Sequence, residues 1–354
     1  MTTSQRSLPL ARWDRGLGLH RAGDFLREGR AHERGGCITE AMQCYAAAID
    51  AAQREIEPPV LAESLRRLGV VHHHRHDAVM ARELCERSYE TALEIGDAVL
   101  AGEALNAMGG FEFEKGSLEM ARLKFQQALE LGKGSAELRS RAEQNLGILA
   151  NIQGSLSEAQ AHYEQSLLAF ESLGDQRGCA IAYHNLGMVS ADRELWDDAE
   201  EYFEKSLQIA KTIGDLHLQG LSLLNSAEVH LARQRYDQAR QNAEMALGMF
   251  DQLGSRLDKA DAYRMIGRAY RETGRYPLAE SRLRSAIELA VNTGSILSEA
   301  EATRELAVLY AEMGKKEEAL GLLNAASRLF SMLNARADLV DVSARIRQLE
   351  GTSP

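Results

Sequence analysis

The chain has 354 residues, with 41 Lys and Arg against 52 Asp and Glu and a formal net charge of −11. That balance disfavours nucleic acid, whose binders usually present a positive face that displaces counterions. It disfavours an anionic membrane leaflet by the same sign argument.

At the N-terminus, MTTSQRSLPLARWDRG has no apolar core of the secretory kind, so no signal peptide is expected. No run of about 18 apolar residues occurs, so membrane insertion is not expected and the expected location is the cytoplasm. Residues 1–19 read as an N-terminal segment whose Trp13, Leu17 and Leu19 are available to cover the first repeat. Trp13 also leaves self-association open. The four cysteines, Cys37, Cys44, Cys85 and Cys179, show no CxxC spacing. They read as small apolar fillers in a reducing compartment.

From residue 20 to 335 the chain repeats. Ala41, Ala81, Ala121, Ala159, Ala199, Ala239, Ala279 and Ala319 recur at steps of 40, except one step of 38. Twelve residues before each alanine stands another small residue: Gly29, Gly69, Gly109, Gly147, Gly187, Ala227, Gly267 or Ala307. A strict period of this kind marks an array of one stacked unit. Within residues 177–214, Ala180, Tyr183, Leu186, Gly187 and Ser190 form one helical stripe. Ala199, Phe203, Ser206, Leu207 and Ala210 form a second after a turn near Glu194. The small pair marks a close helix crossing, where a larger residue would overpack by about 1–3 kcal/mol. Gly36, Gly116, Gly154, Gly274 and Gly314, five residues before the alanine, suit left-handed helix ends. Gly96-Asp97, Gly134-Ser135, Gly174-Asp175, Gly214-Asp215, Gly254-Ser255 and Gly294-Ser295 read as a stop followed by an N-cap. Residues 336–354, with Leu339, Val342, Ile346 and Leu349 on one stripe, read as a C-terminal capping helix and tail.

These positions resemble the tetratricopeptide repeat, W-x2-L-G-x2-Y…A-x3-F…P. Leu68-Gly69, Leu146-Gly147 and Leu186-Gly187 supply Leu-Gly, Tyr270 and Tyr310 the Tyr, and Ala121/Phe125, Ala159/Tyr163 and Ala199/Phe203 the A-x3-F pair. The leading Trp and closing Pro are absent, and the period exceeds the common ~34 residues. In that it is similar to the long-repeat class of Pins-type adaptors, kinesin light chains and bacterial signalling regulators. The resemblance implies a right-handed all-α solenoid of about eight helical hairpins. It also implies that first helices line a concave groove, with the residue before Leu-Gly pointing inward.

That column holds Asn145, Asn185 and Asn225. Stacked amides both donate to and accept from a peptide backbone, so the column reads as a ladder for an extended segment of a partner protein. Arg66 and Arg67, then Arg264, Arg268, Arg271 and Arg304, read as flanking basic residues for an acidic segment or a terminal carboxylate. Pairing with carboxylates of adjacent helices is the competing reading. His72, His73 and His76 are weak metal candidates, since the consecutive His72, His73 and His74 fan around a helix. No cofactor is expected, and no HExxH, GxSxG or phosphate-cradling glycine loop is present. The expected role is therefore a non-enzymatic scaffold or adaptor. The alternative is a regulatory or sensory module acting in trans on a signalling enzyme or transcription regulator. A Rap-type phosphatase is less favoured, because nothing before residue 20 matches the N-terminal bundle of that family.

Overall fold

Each period holds two apolar stripes that one helix cannot bury alone, and stacking solves the problem for both. The computed structural model describes residues 21–351, and those residues hold 17 helices and no strand. The fold class is the all-α repeat solenoid anticipated from the period. Contacts divide the chain into two compact units, residues 1–138 and 139–354.

The first unit contains α1 (Ala22–Arg34), α2 (Ile38–Glu55), α3 (Pro58–His74), α4 (Ala78–Glu94), α5 (Ala98–Glu114) and α6 (Leu118–Leu131). It also takes in the start of α7 (Ala136–Ile152). The second unit continues α7 and adds α8 (Leu156–Leu173), α9 (Gln176–Asp192), α10 (Trp196–Ile213), α11 (Leu216–Ala232) and α12 (Tyr236–Leu253). It ends with α13 (Arg256–Glu272), α14 (Tyr276–Thr293), α15 (Ile296–Glu312), α16 (Lys316–Met332) and α17 (Arg336–Glu350). Odd-numbered helices are the first of each hairpin. In each unit successive first helices also touch one another, as α3 touches α1 and α5, and α13 touches α11 and α15. One face of each stack is thus built from first helices.

The small residues sit where the period predicts them, and each has a partner sixteen residues on. Added to Gly187, a Cβ would lie 2.6 Å from the Phe203 ring; at Gly109 it would lie 2.5 Å from Phe125, and at Gly147 2.6 Å from Tyr163. Where alanine replaces glycine at Ala227, the sixteenth residue is Ala243 instead of an aromatic, and both are fully buried. All eight periodic alanines are likewise fully buried. Serine seven residues after the alanine adds a buried tie between helices of one hairpin. Ser88 donates to the Ala62 carbonyl at 2.7 Å, and Ser166 and Ser206 donate to Ser140 and Ala180 at 2.8 Å.

Turn geometry follows the predicted register even where glycine is missing. Gly36, Gly116, Gly154, Gly274 and Gly314 all have positive φ, and His76, Glu194 and Gln234 adopt φ of 63°, 58° and 59° at the same position. Asp77, Asp97, Asp175, Asp215 and Ser295 accept backbone N–H bonds as N-caps. Gly134 departs from this pattern. The step of 38 residues falls here, α6 stops at Leu131, and the helix ends on Gly132 with φ −83°. Two residues fewer leave no room for the extra half-turn that carries a left-handed glycine elsewhere.

At the far end, α17 buries Val342 completely against a cluster containing Leu323 and Phe330, with Leu339, Ile346 and Leu349 packed beside it. This is the stripe read from the sequence. Residues 352–354, and the covering role expected of Trp13, Leu17 and Leu19, lie outside the described residues.

Candidate interaction face

The first helices carry most of the predicted site residues, and their ion pairs join neighbouring repeats. In the second unit, Arg264 of α13 lies 3.1 Å from Glu301 of α15 and 3.9 Å from Asp261. Arg268 reaches Glu228 of α11 and Glu305 of α15, both at 3.5 Å. Arg271 pairs with Glu272 at 2.7 Å, Glu305 at 3.6 Å and also Glu312. Arg304 meets Asp338 at 2.6 Å and Asp341 at 3.7 Å on α17. Four guanidiniums thus face eight carboxylates of their own chain. Burial raises the Asp261 and Glu301 carboxyls above their ordinary range despite the pull of Arg264. Between the two readings of these arginines, the geometry is that of inter-repeat pairing.

In the first unit, Arg66 lies 3.9 Å from Glu63 and 3.8 Å from Glu103 of α5. Arg67 lies 2.9 Å from Glu63 and 3.2 Å from Glu33 of α1. Glu63 also meets Arg30. Burial raises the Glu63 carboxyl, but its hydrogen bond to Arg67 and the charges of Arg30, Arg67 and Arg66 outweigh that and hold it low.

Asn145, Asn185 and Asn225 occupy equivalent positions on α7, α9 and α11, and all three are half-buried. Asn185 makes no side-chain hydrogen bond among the described residues. Asn225 bonds across to His184 on α9, Nδ2 to Nε2, at 3.2 Å. His184 is 7 % exposed, its ring tilts against Phe203 at 5.6 Å, and its Nδ1 has no partner. Burial, then the nearby His217, push its pKa down to about 4, so it is neutral at pH 7. Sequence reasoning does not single out His184, although it holds the register position of Arg66, Arg264 and Arg304.

The histidine cluster disperses as its spacing predicts. His72 Nδ1 lies 3.1 Å from Asp77, while His73 bonds Glu114 at 2.8 Å and stacks on Phe111 at 4.2 Å. His76 forms the left-handed turn and His74 is exposed. No group of three or more metal-ligating side chains converges among the described residues. The four cysteines are free thiols, and burial pushes Cys85 up to about 12. No helix of the described residues is long and apolar enough to cross a membrane.

Stacked hairpins whose first helices share a face within each unit define a repeat protein of the protein–protein interaction class. Tetratricopeptide repeat models match residues 138–212 and 218–290, and a second such model matches residues 264–331. The chain belongs to the tetratricopeptide repeat proteins, whose members act as interaction scaffolds. A search of curated protein sequences finds no match.

Among solved structures, a Rap protein complexed with competence and sporulation factor is similar, with TM-score 0.62 and 11 % identity. That likeness covers 93 % of this chain and 98 % of the other. The apo form of RapI gives TM-score 0.59 and 18 % identity, over 77 % of this chain and 98 % of that one. A signal-transduction ATPase of the STAND class with a tetratricopeptide repeat sensor, from Pyrococcus horikoshii, gives TM-score 0.62 and 16 % identity. It covers 95 % of this chain and 50 % of the other. At these identities the likeness is one of fold.

Proposed function

We propose that this protein is a non-enzymatic adaptor that holds an extended segment of a partner protein along its first-helix face, on the column Asn145, Asn185 and Asn225. The observation that carries the reading is the register of the three amides on consecutive first helices, each half-buried on a polar face. Asparagine is a poor helix-interior residue, so three in register call for a reason beyond folding. Asn185 has its whole amide to offer, and Asn225 keeps its Oδ1 while Nδ2 engages His184. A backbone laid across them gains hydrogen bonds with little regard to its side chains. The arginines of the second unit take a structural part in this reading, bridging repeats and stiffening the face.

A second reading is a regulatory module acting in trans. It draws on the neighbours: one Rap structure holds a competence and sporulation factor, and the Pyrococcus horikoshii repeats form a sensor. Both readings need a bound protein or peptide, and they differ in what that ligand controls.

The test is affinity capture from the source cell's lysate, wild type beside Asn145/Asn185/Asn225→Ala, read by mass spectrometry. A partner held by wild type and lost by the variant, at unchanged melting temperature, supports the ladder. Equal capture by both removes the ladder from the site. A signalling enzyme or transcription regulator among the captured proteins would favour the second reading.

A further inference from the structure

The first helices of the second unit include an acid that lacks the cation its counterparts have. Asp192, Glu272 and Glu312 share one register position, on α9, α13 and α15. Arg271 pairs with both Glu272 and Glu312. One and two periods before Arg271 stand Leu231 and Ala191, which bring no charge. Asp192 is exposed and makes no ion pair or side-chain hydrogen bond among the described residues. Its neighbour Arg193 turns away to Gln160 of α8. Glu228 of α11 does reach Arg268, at 3.5 Å, but shares it with Glu305. Desolvation by the surrounding chain, then the charge of Glu228, raise the Asp192 carboxyl above its ordinary range, and no cation pulls it back.

An apolar strip connects this carboxylate to the amide column. Asn185, Met188 and Asp192 stand at i, i+3 and i+7, on one face of α9. Seven residues at a 1.5 Å rise set the amide and the carboxylate about 10 Å apart along the helix. Between them Met188 is 38 % exposed, and Ile152, at the register position of Asp192 on α7, is 59 % exposed. The two helices are neighbours, since Ile148 of α7 packs on the core cluster that holds Leu186 and Val189 of α9.

We infer that this strip is a subsite for one long cationic side chain, Arg or Lys, of the partner segment. A backbone held on the amide column crosses the first helices, so one of its side chains can project along α9 toward Asp192. The apolar stem packs on Met188 and Ile152 while the charged head meets the carboxylate, the division between stem and head that such side chains make. Asp192 thereby gains from the ligand what Arg271 gives Glu272 and Glu312 within the chain. The sign is opposite to that of an acidic segment, which Asp192 and Glu228 would repel and for which Arg264, Arg268, Arg271 and Arg304 are already occupied. The inference rests on the amide column as the backbone site, and it names the chemistry of the segment held there.

The experiment uses the full chain on an array of Gly/Ser peptides that differ in a single central residue: Arg, Lys, Met or Glu. The Arg and Lys peptides should be retained about fivefold better than the Met peptide, which offers a stem without the charge. The Glu peptide should be retained least. Asp192→Asn should erase the preference for Arg and Lys over Met. Asp198→Asn makes the same change of charge at an exposed position of α10 and should leave the preference as it is, which separates the subsite from the general pull of an acidic chain. Both positions are exposed, and circular dichroism would verify that both variants keep the fold. Asn145/Asn185/Asn225→Ala should lower retention of all four peptides together. Equal retention of Arg, Lys and Met, a preference for Glu, or an Arg preference that survives Asp192→Asn would overturn the inference and leave the amide column standing. No retention of any peptide, or retention unchanged by the Asn triple variant, would remove the column and the subsite with it.

Discussion

The sixteen-residue pairing of glycine with an aromatic ring makes a prediction whose sign depends on its partner. Gly187 lies inside α9, and a methyl there would meet Phe203 Cε1 at 2.6 Å and Cδ1 at 2.7 Å. The ring is 1 % exposed and cannot swing aside. Overpacking costs about 1–3 kcal/mol, while Gly→Ala in a helix returns up to about 1 kcal/mol of propensity. Gly187→Ala should therefore destabilise by roughly 1 kcal/mol, between none and about 2. Phe203→Ala removes a buried ring and should cost about 3–5 kcal/mol. In that background the clash is gone, so Gly187→Ala should stabilise by up to about 1 kcal/mol. The coupling in the double-mutant cycle is thus about 1–3 kcal/mol, and the double variant reproduces the natural Ala227/Ala243 pair of a later repeat. Urea denaturation monitored by circular dichroism, with the slope checked for constancy, measures all four corners. An effect of Gly187→Ala with the same sign in both backgrounds would refute the close-crossing account of the small column.

Buried charge yields two further outcomes. The His184 pKa is depressed to about 4 from 6.5, so the unfolded chain binds its proton first and stability falls as pH drops from 6.5 toward 4. Between pH 7 and pH 5 this group should remove about 2 kcal/mol; His184→Gln should abolish that part of the acid sensitivity, and an unchanged pH profile would contradict it. Arg264, 14 % exposed, sits between Asp261 and Glu301. Arg264→Leu should cost about 2–3 kcal/mol at pH 7 by leaving those carboxylates uncompensated, most of it recovered near pH 4 or by adding Glu301→Leu. A loss that persists at pH 4 would point to packing instead.

The fold was legible because the period is carried by residues with a single steric job. Ala199, Gly187 and the turn at Glu194 announce a hairpin from the sequence alone, and the 38-residue step gives away the one short unit. Pairing across repeats was one of two readings of the arginines, and its partners went unnamed because it crosses a whole period and involves side chains that look solvent-exposed one helix at a time. A signal was present nonetheless. Arg66 with Glu103, Arg264 with Glu301 and Arg304 with Asp341 are each 37 residues apart, and each pair meets in the structure. Reading charge at the repeat spacing, instead of at three or four residues along one helix, would have found the ladder of ion pairs. His184 was hidden by its type, because a histidine beside Asn185 looks polar while its ring lies against Phe203.

Inter-repeat pairing also constrains how such a face can recognise anything. A ligand carboxylate arriving at Arg264 or Arg271 must displace one already held at hydrogen-bond distance, and the displaced group stays behind, half-buried and repelling it. The gain from binding is then the difference between two similar contacts, which is small. Selectivity is best placed where the internal pairing is incomplete. On the second unit that leaves Asn185 and the open side of Asn225, which carry no charge to be neutralised and suit a peptide backbone. On the proposed reading, the ion pairs that hold the repeats in register leave backbone recognition on this unit to those uncharged amides.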